Sequence, residues 1–449
     1  MKNRKATIKM MILAGALMTI VPACKKKGCT DPTADNYSSE AKKEDGSCTF
    51  TPVNWYSDVV VAGVDYKQIS GDITVNHTLD GASKWLLSGG VFVKSGATLT
   101  IEAGTTVYAA NDGTTPFLSI QQGGKINACG TAASPIVFTP VVDAPTPGSW
   151  GGIILNGYAP INTGTTAEGE GGTGIYGGDN TTDNSGTMCY VRVEYAGKIL
   201  GTDNELNGFS FNGCGSGTTL SYLQAYKGSD DGFEFFGGTV SLKYAVSSGN
   251  QDDSFDWTHG WSGNGQFWVA NQGTVGGDRG IEADNNGDNN AAAPYSNPSI
   301  ANITLIGADD GDASNQGIKL REGTKANFLN VLITGFPKRG CEVEHDITLG
   351  NMDAGSLTFK NAIIDNVNPF KFTTSAGVDA SGIANFQEVG NNNSTATDGS
   401  LTGFLSGYIG TTATGAANPT SLGAWFDNAN YIGAVSTGAD WTFGWVKAL

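Results

Sequence analysis

Glu234, Asp256 and Glu282 hold the same place in three near-repeats, Gly232-Phe233-Glu234-Phe235, Ser254-Phe255-Asp256-Trp257 and Gly280-Ile281-Glu282-Ala283. Asp230, Asp231, Asp252, Asp253, Asp278 and Asp284 crowd around them, with Asp309, Asp310 and Asp312 in the next repeat. If Phe233, Phe255 and Ile281 point inward, strand alternation sends the acids outward as one column. Carboxylates stacked about 4.8 Å apart repel one another unless a cation, a basic side chain or a proton intervenes. Hard oxygens at that density suit a hard cation, so calcium is the expected ion, with Asp231, Glu234, Asp253 and Asp256 as its ligands. The competing account is a solvated acidic face, in which Asp231-Gly232 and Asp310-Gly311 are ordinary turn pairs.

Trp257, Trp261 and Trp268, with Phe235 and Phe236, fall beside this column in sequence. Rings next to carboxylates and amides suit sugar faces and hydroxyls. Glu234, Asp256, Glu282, Trp261 and Trp268 are therefore the expected ligand-binding set, with an extended glycan as ligand. Trp257 shares parity with Phe255 and is expected to face inward. With only His77, His259 and His345 in the chain, no nucleophile has a recognisable Ser-His-Asp or Cys-His setting.

The elements that must position these residues are short strands that recur. Further copies are Gly208-Phe209-Ser210-Phe211, Gly317-Ile318-Lys319-Leu320 and Gly340-Cys341-Glu342-Val343, and the steps from Gly208 run 24, 22, 26, 37 and 23 residues. A period in the low twenties predicts stacked coils of a β-solenoid, with insertions as loops. A second column, Asn302-Ile303, Asn330-Val331 and Asn361-Ala362, repeats at 28 and 31. Its amides are expected to hydrogen-bond along the stack inside the solenoid. Excursions are predicted at 163–186, 284–298 and 374–422, where binding sites are commonly built.

The net charge of −17 over 449 residues argues against a nucleic-acid partner. Lys2, Arg4, Lys5 and Lys9 precede an apolar run from Met10 to Val21 that is too short to span a bilayer, so residues 1–23 read as an export signal. Its removal leaves −21. The small residue Ala23 followed by Cys24 resembles a lipobox, which implies lipidation of Cys24 and a membrane partner through the anchor. Lys25-Lys26-Lys27 follows instead of an acidic flank, so the expected location is the outer membrane, on either the cell-surface or the periplasmic side. In an oxidising compartment the remaining six Cys suggest disulfides. Cys29 and Cys48 bracket a small module and are expected to pair. Cys189 and Cys214 lie 25 apart, about one coil, and are also expected to pair, with Cys129 and Cys341 as buried apolar fillers.

Residues 28–48, of the form GCTDP-x-A-x-NY through DGSC, resemble a Cys-bracketed module of exported Bacteroidota proteins. Gly96-Ala97-Thr98-Leu99-Thr100-Ile101-Glu102-Ala103-Gly104-Thr105, Gly130–Thr139 and Trp150–Leu155 resemble coils of right-handed parallel β-helix, pectin lyase-like proteins, and of β-helical Bacteroidota lipoproteins. The resemblance spans about residues 55–360. It implies an all-β, right-handed parallel β-helix with loop insertions over 55–449, preceded by a disulfide-stapled spacer at 24–50. The segment Asp440–Trp445 resembles that group's closing segment and is expected to cap the stack.

In β-helix lyases calcium acidifies the proton beside a uronate carboxylate and a basic residue removes it. On that pattern Arg279, set among Asp278, Glu282 and Asp256, would be the base. Asp252-Asp253, His259, Lys319 and Arg321 are similar to polygalacturonases, departing in spacing and in the order Lys319-Leu320-Arg321. Asp253, Asp256, Arg279 and Lys319 are thus the catalytic candidates of a lyase or glycosidase alternative. A third expectation is an adhesin or scaffold with a surface-protein partner. A face that binds glycan or another surface polymer is the leading one, with calcium as its candidate ion.

Overall fold

The computed structural model describes residues 26–32, 34, 36–49, 55–202, 204–273, 276–308, 315–366, 368–378, 381–388, 391–395, 415–436 and 438–449. The export signal 1–23, Cys24, Asp309, Asp310 and Asp312 lie outside them. The chain divides into two compact units, 1–55 and 56–449. In the first, Cys29 and Cys48 form the expected disulfide. Glu44 holds the stapled ends together by accepting from the backbone N–H of Thr30 at 2.7 Å and of Gly46 at 2.9 Å.

The second unit is a right-handed parallel β-helix: one sheet system of twenty-six strands among the described residues, parallel except for a hairpin at each end. One face stacks short strands: Phe117–Ile120, Ile153–Asn156, Phe209–Asn212, Phe233–Phe236, Phe255–Thr258, Arg279–Ala283, Gln316–Leu320, Arg339–Glu344 and Phe370–Thr374. The other faces come from longer strands, among them Gly186–Glu194, Thr219–Tyr226, Ser241–Ser248, Asn264–Asn271, Ser299–Ile306 and Ala326–Thr334. Each of these bends at one left-handed residue, Tyr190, Tyr222, Tyr244, Phe267, Asn302 or Asn330, with φ between 50° and 62°. Asn tolerates that conformation through its short polar side chain; the aromatic residues pay a steric cost and offset it by stacking. Tyr190, Tyr222, Tyr244 and Phe267 form a ladder with centroids 4.2, 4.3 and 4.7 Å apart.

Inside the coils the predicted inward residues stack in register. Phe209, Phe233 and Phe255 are fully buried with centroids 5.1 and 5.2 Å apart. Burial of each such side chain stabilises by about 2 kcal/mol, which fixes the register of every coil that carries one.

Four expectations are corrected. Cys189 pairs with Cys129, not Cys214, because Thr187–Cys189 stacks directly on Asn127–Cys129 of the preceding coil. Cys129 is therefore no filler; Cys214 and Cys341 are the buried free thiols. Among the described residues the Asn residues of the column do not bond to one another: Asn302 accepts from Gln266 of the preceding coil at 3.1 Å. Asn302 donates to the carbonyls of Ala429 and Tyr431, and Asn330 to those of Ala417 and Ala429, all on the C-terminal segment. That segment does not cap the stack either: it runs back along its flank. Trp441 and Trp445 cover the tyrosine ladder, and Lys447 reaches Glu194 at 2.7 Å. The last coil is instead closed by Phe386 on a short helix, Ser381–Phe386, packed on Phe359 and Phe370.

Candidate acidic site

The acids form the predicted column. Ser210, Glu234, Asp256, Glu282, Lys319, Glu342 and Lys371 follow one another in register through seven coils of the short-strand face. A parallel row three residues earlier reads Asn207, Asp231, Asp253, Arg279, Gln316 and Arg339. The face thus passes from neutral through acidic to mixed basic and acidic coils.

Outward does not mean exposed here. Asp253 is 3% and Glu282 7% exposed, with Arg279 and Arg321 against them. Asn207 donates to Glu234, and the insertions carrying Glu170 and Glu205 bring two more carboxylates beside Asp230. Neither Glu170 nor Glu205 belongs to a repeat, so no periodicity points to them. Burial, reinforced by Asp252, lifts the Asp230 carboxyl to about 8, and burial with Asp278 lifts Asp252 to about 6. Asp231, Glu234, Asp253 and Asp256 are all pushed well above the usual carboxylate range by burial first and by their acidic neighbours second.

Two arginines neutralise the C-terminal half. Arg279 Nη1 lies 2.6 Å from Asp278 and 3.4 Å from Asp253, and its Nε lies 3.1 Å from Glu282. Arg321 Nη2 lies 2.6 Å from Glu282 and its Nε 2.8 Å from Asp284. Among the described residues the opposite half, Asp231, Glu234 and Asp256, has no such ion pair. One oxygen from each of Asp231, Glu234 and Asp256 lies within 4.8 Å of the others, and the same holds for Asp253, Asp256 and Glu282. Two oxygens across a calcium ion at roughly 2.4 Å each span about that distance. Asp253 Oδ1 and Asp256 Oδ1 are buried and hydrogen-bonded to nothing among the described residues. All-oxygen donors, excess negative charge and two orphaned buried carboxylate oxygens fit a hard divalent cation.

The other candidates separate from this cluster. Trp261 and Trp268 are wholly buried, stacked at 4.2 Å on Phe235 and 4.5 Å on Phe255, with indole N–H groups donating to the Val240 and Leu242 carbonyls. They belong to the hydrophobic core and offer no sugar platform; Trp257 is buried as expected. Lys319 pairs with Glu344 at 3.2 Å. His259 is held down to about 4 by burial, its Nδ1 3.4 Å from the Tyr176 hydroxyl. Arg321, noted only for its order relative to Lys319, proves to be the residue that secures Glu282 and Asp284.

The site is a carboxylate column on one face of a parallel β-helix. Residues 71–445 match the pectate-lyase like β-helix domain family, and the chain belongs to it. No curated protein and no solved structure matches the chain.

Proposed function

We propose that this protein is a glycan-binding β-helix whose acidic column takes up calcium and presents it to a surface polymer. The observation that carries the proposal is the pair of overlapping oxygen sets, Asp231–Glu234–Asp256 and Asp253–Asp256–Glu282, with two buried oxygens unpartnered. Calcium would supply the positive charge that the Asp231–Glu234–Asp256 set, unlike Asp253 and Glu282, lacks among the described residues, and a Lewis-acidic contact for an anionic or hydroxyl-bearing sugar. The chain's own residues hold the site open: Arg279 and Arg321 fix Glu282 and Asp284, and Asn207 fixes Glu234. A lipid anchor at Cys24 would hold the unit at the outer membrane.

The lyase alternative needs Arg279 to accept a proton. Three carboxylates around its guanidinium raise its pKa above the ordinary arginine value, against the direction a base requires. Binding without turnover is therefore favoured. The test is native affinity electrophoresis through gels cast with acidic polysaccharides, in calcium and in EDTA, followed by staining for remaining polymer. Retardation that EDTA abolishes, with the polymer intact, is the expected result. A cleared lane would establish an enzyme, and free migration in every gel would move the function to a protein partner.

A further inference from the structure

A second groove lies on a different face of the helix, away from the carboxylates. It has a volume of about 460 Å³, within the range of small-ligand sites, and is lined by Thr219, Ser221, Ser241, Ser262, Asn264 and Trp425. Thr219, Ser241, Asn264 and Ser299 share one register position in four successive coils, so hydroxyls and amides rise along the groove at the strand spacing. The Trp425 ring is delivered by the C-terminal segment. Lys243 pins it, with Nζ 4.7 Å from the ring centroid and 2.9 Å from Asp427 Oδ1. That ion pair leaves the groove with no net charge of its own. Among the described residues the Thr219, Ser221 and Ser262 side-chain hydroxyls have no protein partner, and Ser241 Oγ only accepts, from Asn264 at 3.0 and 3.2 Å.

We propose that this groove is a calcium-independent subsite for a neutral glycan, with Trp425 taking the apolar side of a pyranose ring and the Thr/Ser/Asn ladder its hydroxyls. The chemistry selects the class. Uncharged donors and acceptors beside an immobilised indole match a ring with one apolar face and several hydroxyls, whereas an acidic polymer would meet only a lysine already neutralised. A backbone-anchored ladder and a pinned ring lose little freedom on binding. This site does not depend on the acidic column; the two proposals stand or fall separately.

The test uses the full chain in EDTA, run through native gels cast with hydroxyethyl cellulose, mixed-linkage β-glucan, galactomannan or dextran. At least one of these polymers is expected to retard the protein. Trp425→Ala is expected to raise the dissociation constant about tenfold, and Thr219→Val with Ser221→Ala about threefold. The double variant leaves the C-terminal segment untouched and guards against Trp425→Ala acting by loosening it. Asp253→Asn should leave this retardation unchanged. Free migration of the wild type in all four gels overturns the proposal, as does retardation that both variants retain. Retardation confined to calcium and lost in Asp253→Asn would support the acidic site alone.

Discussion

Arg279 occupies the position in its coil that Asp253 occupies in the coil before it, and its Nη1 lies 3.4 Å from Asp253 Oδ2. This one substitution in the repeat, a cation where the two preceding coils have Asp231 and Asp253, divides the column. On one side Asp253, Glu282 and Asp284 pair with arginine, and on the other Asp231, Glu234 and Asp256 have no ion pair among the described residues.

Arg279→Ala should be strongly destabilising, by about 3 kcal/mol, because Asp253 and Glu282 lose the charge that compensates them while remaining buried, and Asp278 loses its partner at 2.6 Å. Urea denaturation at pH 7 in EDTA measures this. The loss should shrink at pH 5, where protonation of Asp253 and Glu282, both raised first by burial, substitutes for the guanidinium.

The pH dependence of stability has a definite sign. Asp230 and Asp252 have folded-state pKa values near 8 and 6, above the unfolded value near 3.8, and Asp231, Glu234, Asp253 and Asp256 are raised as well. The folded state therefore binds more protons, and stability falls as pH rises from about 4 to about 8. In EDTA, calorimetry should show a melting temperature lower at pH 8 than at pH 5. Calcium should recover much of the difference at pH 8. A melting temperature that rises over this interval without metal would contradict the buried column.

Asp256→Asn should act in opposite directions with and without metal. Removing a buried charge whose Oδ1 has no partner should raise the melting temperature in EDTA, while loss of an oxygen shared by both ligand sets should weaken calcium binding at least tenfold. Titration calorimetry and thermal scans on one sample separate the two effects. An Asp256→Asn protein destabilised in EDTA and unchanged toward calcium would refute the assignment.

Peptide mapping of the oxidised protein should recover Cys129 joined to Cys189, with Cys214 and Cys341 as thiols that alkylate only after unfolding. Replacing both Cys129 and Cys189 by Ser should cost about 2–4 kcal/mol through release of the unfolded chain.

Much of the fold was legible because a solenoid writes its period into its sequence. Phe209, Phe233 and Phe255 stack because each coil must bury the same position, so the spacing of Phe-x-Phe motifs reports the rise of the helix directly. The acid column follows from the same register: once Phe233 and Phe255 are inside, Glu234 and Asp256 must be outside and adjacent. These relations are local and repeat, and one sequence suffices to read them.

What the sequence alone determined was the β-helix, the alignment of Glu234, Asp256 and Glu282, and the Cys29–Cys48 staple. Tertiary structure alone decided which acids are buried, and that loops without a repeat bring Glu170 and Glu205 to bear on Asp230. It also decided that Trp261 and Trp268 turn inward and that Cys189 stacks on Cys129. A coil's length varies with its insertion, so 25 residues of separation did not make two cysteines neighbours, while 60 residues did. The path of the C-terminal segment was settled by contacts far apart in sequence, Trp445 against Tyr190 and Lys447 against Glu194, which no period encodes.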